Sequence, residues 1–157
     1  MKKQKGFSLI ELLIVVAIIL IIAAIAIPNL LKSKMAANES SAVGSVRTLN
    51  TAEVTYSAGC PAIGYSATLK EMNTGAICTS GTSIIDNVLG QDPATKSGYM
   101  TTYAPGGAVG GVVNTYTLSA TPLAIGTTGQ RGFFSDQTGV IRYNQAGTAT
   151  VADPALQ

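Results

Sequence analysis

The sequence has few or none of several residue types that catalytic sites and metal sites usually need. Its 157 residues include no histidine, no tryptophan and two cysteines, and only 11% of them are charged. A typical soluble domain carries about 25% charged residues. Without histidine there is no imidazole to act as a base or a metal ligand. Two cysteines are also too few for a four-thiolate zinc site.

The few charges are unevenly placed along the chain. The formal net charge is +2, but Lys2, Lys3 and Lys5 all lie in the first five positions. Without them, 7 basic residues (10 − 3) face 8 acidic ones, a net charge of −1. The basic character therefore belongs to the N-terminus, and no specific nucleic-acid partner is expected.

The remaining polar residues form no recognisable catalytic or metal-binding pattern. Asp92 and Asp136 each offer a single carboxylate, whereas calcium takes about six to eight oxygen ligands. The glycine-rich segment Gly126–Gly132 precedes a predicted strand and opens no helix, so it is not a phosphate-binding loop. We therefore expect no catalytic residue, no metal and no cofactor, and no enzymatic activity.

A long apolar segment begins at Phe7. Residues Leu12–Ile27 include no polar side chain, and Glu11 is the only charge in the 21 residues from Phe7 to Ile27. About 20 helical residues cross a bilayer core, and the preceding lysines place the N-terminus in the cytoplasm. Three interpretations compete: a simple anchor, a secretory signal cut after Ala24–Ala26, and a segment that is inserted, trimmed and reused. An acidic residue within a membrane helix costs about 2.5–3.5 kcal/mol, for which an anchor or a disposable signal has no use.

The residues around this glutamate form a specific motif. They read Lys5-Gly6-Phe7-Ser8-Leu9-Ile10-Glu11, followed by the apolar run that ends at Pro28. This combination resembles the N-terminus of type IV pilins and their pseudopilin relatives, over roughly the first 35 residues. The resemblance implies that a prepilin peptidase cuts between Gly6 and Phe7 and that the new Phe7 amine is methylated.

The same resemblance implies a filament. Many copies would leave the inner membrane, with the help of a pilus assembly machinery, and pack their apolar helices together outside the cell. Glu11 is then expected to pair with the Phe7 amine of a neighbouring subunit, the alternative being the amine of its own chain. Pro28 lacks an amide donor and should kink or locally open the helix. In the filament we expect regular hydrogen bonding to be lost within about Ile19–Ile27.

The sequence pattern in the middle of the chain predicts a second helical part followed by a connector. Residues 29–57 have apolar side chains at helical spacing, and Gly59 and Pro61 end the pattern. Residues 58–97 form a loop-rich connector with one helical turn at Thr68–Met72 and another at Ser83–Leu89. An exported chain should oxidise Cys60 and Cys78 to a disulfide. The closed loop counts 19 residues and should stabilise the fold by roughly 3 kcal/mol.

The last third, residues 98–157, alternates polar and apolar side chains. About four antiparallel strands are predicted, at Tyr99–Tyr103, Val112–Leu118, Arg131–Ser135 and Val140–Tyr143. With a leader at 1–6, a membrane or filament-core helix at 7–28 and an amphipathic helix at 29–57, the fold class is α+β. The function predicted is the major subunit of a type IV pilus. A major pseudopilin of a type II secretion system and a membrane-anchored exported binding domain are the alternatives.

Overall fold

A computed structural model of the chain describes residues 6–75 and 82–156. These divide into two compact units between Lys34 and Met35. We call the described residues 6–34 the N-terminal unit and the described residues from 35 onward the head.

The first element, α1, is a 51-residue helix at Leu9–Gly59. It ends where Gly59 and Pro61 were expected to end it. Pro28 lies inside the helix, and the helix continues through it without a break. The isolated chain therefore remains helical at the site of the predicted opening, whereas the opening expected in a filament stays a prediction.

The head contains one short helix and a five-stranded sheet. The sheet is antiparallel throughout, in the order β1-β2-β3-β4-β5, so each strand pairs with its neighbour in sequence. The elements are α2 at Leu69–Thr74, β1 at Ala94–Lys96, β2 at Tyr99–Pro105, β3 at Tyr116–Pro122, β4 at Gly132–Asp136 and β5 at Arg142–Asn144. A long helix with an antiparallel sheet confirms the α+β fold class.

Some of the predicted boundaries were wrong. The sheet has a fifth strand, β1, inside the predicted connector. The second predicted strand starts at Tyr116 rather than at Val112, because Val112 pairs back onto Val109 in a tight turn. The helical turn predicted at Ser83–Leu89 is not helical. There the Asp86 carboxylate accepts hydrogen bonds from two later amides instead, as Asp does in turns.

One face of α1 packs against the sheet within the head. Val46, Leu49 and Tyr56 of the helix are fully buried in one apolar core with Leu118 and Phe133 of the sheet. A buried polar bridge crosses the same interface. Asn50 Nδ2 of α1 donates to Ser135 Oγ over 2.8 Å, and its Oδ1 accepts from Tyr116 Oη over 3.0 Å. Because these bonds are directional, they fix the helix on the sheet more specifically than the apolar contacts alone.

The C-terminal residues run along the free edge of β5. Tyr143 N donates to the carbonyl of Pro154 over 3.1 Å, and Leu156 N donates to that of Ile141 over 2.7 Å. Asn144 Nδ2 reaches the Asp153 carboxylate over 2.8 Å. Covering an edge strand in this way removes a template for uncontrolled strand pairing.

Candidate assembly site

The N-terminal unit exposes an apolar surface over its whole length. Seventeen large apolar side chains between Phe7 and Leu31 are exposed, from 46% at Val16 to 81% at Phe7. By length and composition, α1 contains a stretch able to cross a membrane. Contiguous apolar surface of this extent marks a site that meets lipid or protein.

Glu11 caps the helix that carries this surface. Its Oε2 accepts a hydrogen bond from Ser8 N over 2.9 Å, and Ser8 O accepts the first helical bond, from Leu12 N over 3.2 Å. Ser8 at the N-cap and Glu11 three residues later form one half of a capping box, in which the glutamate satisfies an amide that the helix leaves unpaired. This contact was not predicted, although Ser-x-x-Glu ahead of an apolar run is its usual signal.

The predicted cleavage site lies immediately before this cap. Gly6 and Phe7 are both exposed, and Phe7 directly precedes the amide that binds Glu11. Within the described residues, the second oxygen of Glu11, Oε1, has no hydrogen-bond donor. A carboxylate with two oxygens can bind the Ser8 amide through one and a further donor through the other.

Polar side chains near Pro28 bond back to the helix backbone. Asn29 Nδ2 donates to the Ile25 carbonyl over 3.1 Å, and Ser33 Oγ donates to the Asn29 carbonyl over 3.0 Å. These donors lie beside the helical turn in which Pro28 has no backbone amide hydrogen to donate. They show that side chains here can satisfy backbone carbonyls.

Glu39 joins the start of the buried helix face to the loop before β4. Its Oε1 accepts from the amides of Gln130 and Arg131, over 2.9 and 3.0 Å, and its Oε2 accepts from Arg131 Nε over 2.8 Å. Burial alone would raise the pKa of Glu39, but these hydrogen bonds and the guanidinium charge hold it below its ordinary value. The guanidinium also lies 5.7 Å from the ring centres of Phe133 and Tyr143, at cation–π range.

A second buried carboxylate, Glu53, holds the connector against α1. Its Oε1 accepts from Ser66 Oγ over 2.6 Å and its Oε2 from Ser66 N over 3.0 Å. Tyr103 Oη of β2 donates to the carbonyl of Ser66 over 2.6 Å. Burial raises the pKa of Glu53 above its ordinary value, although the Ser66 bonds oppose the shift. One residue of the connector is therefore bonded to both the helix and the sheet.

The predicted disulfide is only partly within the described residues. Cys60 is buried, with 4% of its surface exposed, at the end of α1. Cys78 lies outside the described residues, so the pairing stays a prediction.

The scattered carboxylates of the head serve its loops. Within residues 6–75 and 82–156, no three His, Cys, Asp or Glu side chains lie close enough together to hold a metal ion. Asp86 pairs with Lys96 over 3.3 Å, and Asp92 Oδ1 accepts from the amide of Tyr103 over 3.4 Å. Asp136 accepts from the amide of Thr138 over 2.9 Å.

The N-terminal segment of the chain matches a known family model. Residues 1–27 match the family model described as the prokaryotic N-terminal methylation motif. In this segment the chain is similar to the type IV pilin family. The motif and the relatives support a pilin-type subunit.

Curated relatives match between a quarter and about a third of the chain. The type IV wide pilus major component PilA4 of Thermus thermophilus is 60% identical over 40 residues, 26% of this chain and 30% of the relative. The type IV major pilin protein PilA of Myxococcus xanthus is 48% identical over 54 residues, 34% of this chain and 24% of the relative. A fimbrial protein of Pseudomonas aeruginosa is 56% identical over 52 residues, 33% of this chain and 34% of the relative.

The matched segment thus spans only a quarter to a third of the relatives' own length. No solved structure matches the chain. The relatives and the apolar helix fit a subunit that is first anchored in a membrane and then built into a filament, and in these relatives the likeness covers at most 34% of the chain.

Proposed function

We propose that the chain is the major subunit of a type IV pilus, polymerised through the apolar surface of its N-terminal unit. The observation that carries this proposal is the exposed apolar surface between Phe7 and Leu31, headed by a glutamate on its first turn. Two of the relatives are named as major pilus components. The partners are copies of the same chain, with a prepilin peptidase and an inner-membrane assembly machinery acting on the precursor.

Assembly exchanges one apolar environment for another. Before assembly the N-terminal unit spans the inner membrane, with the leader in the cytoplasm. In the filament the same side chains are buried against the helices of neighbouring copies. Since both states keep the apolar surface away from water, the exchange requires little net hydrophobic free energy.

Cleavage between Gly6 and Phe7 gives Glu11 a new partner. It creates an ammonium group one residue before the amide that Glu11 already binds. We propose that the second carboxylate oxygen then binds the Phe7 amine of a neighbouring subunit. Buried ion pairs contribute little net stability against apolar replacements, so the pair sets the axial register between subunits rather than driving assembly.

Two substitutions separate the local role of Glu11 from its role between subunits. Glutamine can still accept the Ser8 hydrogen bond but carries no charge. Leucine can neither accept this hydrogen bond nor carry a charge. Both Glu11→Gln and Glu11→Leu should therefore insert and be cleaved normally, yet yield few filaments by electron microscopy. Leu12→Ile, at the neighbouring exposed position, is the matched control and should assemble normally.

The outcomes of this comparison are distinct. Filaments of normal number and subunit rise from Glu11→Leu would contradict the role assigned to Glu11. Normal filaments from Glu11→Gln alone would show that helix capping is the whole role of this residue. A wild-type chain that supports protein secretion but forms no cell-surface filament would favour the pseudopilin alternative.

We propose that the helix opens within about Ile19–Ile27 in the filament, because Pro28 supplies no donor to the carbonyl of Ala24. Neighbouring subunits would shield or satisfy the carbonyls released there. A filament map with a straight, unbroken helix through Ala24 would contradict this. Pro28→Ala is the matched variant, since it restores the missing donor and should keep the helix closed.

A further inference from the structure

The central strands of the head belong to a segment without any charge. Between Lys96 and Arg131 the chain has 34 residues and none is charged. At the average of 11% for the whole chain, such a segment would carry about four charges. It contains β2, β3 and the loops at both ends of β3. A surface built from these residues therefore suits a partner surface that is also uncharged.

The loop before β3, residues 106–115, presents a rigid apolar tip. Val109 and Val112 exchange two backbone hydrogen bonds, over 3.0 and 3.2 Å. Gly110 and Gly111 between them have φ values of 63° and 87°, as a type I′ turn requires. Val109 itself is 74% exposed. We call residues 106–115 the tip loop.

The loop after β3, residues 123–130, is equally well fixed and also exposes apolar side chains. Leu123 and Ile125 are 55% and 57% exposed. Thr128 N donates to the Ala124 carbonyl over 2.9 Å, and Asn38 Nδ2 of α1 donates to the Thr128 carbonyl over 2.8 Å. We call residues 123–130 the base loop.

The two loops lie at opposite ends of the head. The seven residues of β3 separate them, which is roughly 20 Å of extended chain. The base loop is bonded to Asn38, early in the buried part of α1. Tyr116, next to the tip loop, is bonded to Asn50, twelve positions further along the helix. The line from the base loop to the tip loop therefore follows the direction of α1.

We propose that the tip loop of one subunit docks on the base loop of a second copy of this chain, displaced along α1. This inference rests on the proposed function. A contact between two different patches at opposite ends of one molecule is head-to-tail, and it generates an open helical filament when the rotation between copies does not close a ring. Both loops are held by their own hydrogen bonds, so docking orders few residues. Neither patch carries a charge that docking would have to desolvate.

Paired cysteines test the contact directly. The chain with both Val109→Cys and Ile125→Cys is assembled into filaments, sheared from cells, oxidised and run on a non-reducing gel. A ladder of covalent oligomers is expected from the double variant. Each single variant, and the wild type with its own two cysteines, should give no ladder.

A second comparison does not depend on cross-linking. Val109→Asp places a charge on the tip loop and should reduce filament yield at least several-fold. Val109→Thr has nearly the same shape and no charge, so it should retain most of the yield. Equal yields from the two variants would contradict the proposed contact.

The outcomes keep this inference apart from the proposed function. Double-variant filaments that give no ladder would overturn the head-to-tail contact while leaving the pilus function in place. A cross-link from position 109 to a different protein would overturn the choice of partner. A wild-type chain that forms no filament would overturn the proposed function, and this contact with it.

Discussion

The two units of the molecule place their apolar side chains in opposite ways. In the N-terminal unit, Leu13 is 60% exposed and its neighbours are similar. In the head, Leu118 and Phe133 are completely buried. Every buried side-chain nitrogen or oxygen among the described residues also has a hydrogen-bond partner. The head thus fulfils the requirements of a folded domain within one chain, whereas the N-terminal unit needs a bilayer or other copies of the chain.

The two units differ in what their sequences must specify, which is a partner surface in one and a folded core in the other. The N-terminal unit includes residues that match the family model, and under the proposed function it packs against the same surface of other copies. The core of the head is formed by its own residues, whereas its tip loop and base loop are proposed to contact a second copy. A substitution in the core of the head should therefore act on folding, whereas one on the apolar surface of the N-terminal unit should act on assembly.

A matched pair of leucines gives the largest expected difference. Leu118→Ala removes a fully buried side chain and should lower the free energy of unfolding of the head by about 2–5 kcal/mol. Leu13→Ala should change it by less than about 0.5 kcal/mol, but should weaken assembly. Chemical denaturation of the full chain in detergent micelles, followed by tyrosine fluorescence, measures both. Equal losses from the two variants would show that the units are not independent.

The predicted disulfide should make the next largest contribution, and only in the head. Cys60→Ser should lower the free energy of unfolding by roughly 3 kcal/mol, because the unfolded chain regains the freedom of a 19-residue loop. Cleavage at the N-terminus should be unaffected. Peptide mapping without reductant tests the pairing first, and recovery of Cys60 and Cys78 as free thiols would rule it out.

Loss of the ion pair between Glu39 and Arg131 should lower the free energy of unfolding of the head by a smaller amount. Glu39→Gln should destabilise the head by about 1–2 kcal/mol near neutral pH, since a buried charged acceptor of three hydrogen bonds is weakened. The pKa of Glu39 is lowered in the folded state. Its contribution is therefore present above the ordinary carboxyl pKa, about 4.3, and is lost as the pH falls through the lowered value. A difference between the two chains that stayed constant down to pH 2 would contradict this.

Glu53 should show the smallest effect, with the opposite pH dependence. Burial raises its pKa in the folded state, so the stabilising contribution is present at low pH and falls as the pH rises through the raised value. The wild type should therefore lose stability relative to Glu53→Gln between pH 4 and pH 7. A gain over that interval would show that the Ser66 hydrogen bonds outweigh burial.

The local patterns of the sequence predicted most of the fold. The apolar run, the breakers Gly59 and Pro61 and the alternation in the last third predicted one long helix and an antiparallel sheet. The boundaries at Val112 and Ser83 were wrong because side-chain and turn hydrogen bonds competed with regular structure there. The three-residue strand β1 has no pattern of its own and exists only through its pairing with β2.

The candidate site was predicted less completely. The motif pointed to Gly6, Phe7 and Glu11 because these residues lie close together in the sequence. The contact of Glu39 with Arg131 joins residues 92 positions apart, and that of Asn38 with Thr128 joins residues 90 apart. Such pairs follow from the packing of helix and sheet, which a single sequence does not encode in any local pattern.

The central claim, that the N-terminal unit is a processed assembly surface, is tested most directly by the intact mass and N-terminal residue of the chain in sheared filaments. We expect a chain that begins at Phe7 and carries one extra methyl group on its amine. A chain that begins at Ile27 would show that the apolar segment is an ordinary signal peptide removed on export. A processed assembly surface would then be ruled out, because only Ile27, Leu30 and Leu31 of its exposed apolar residues would remain.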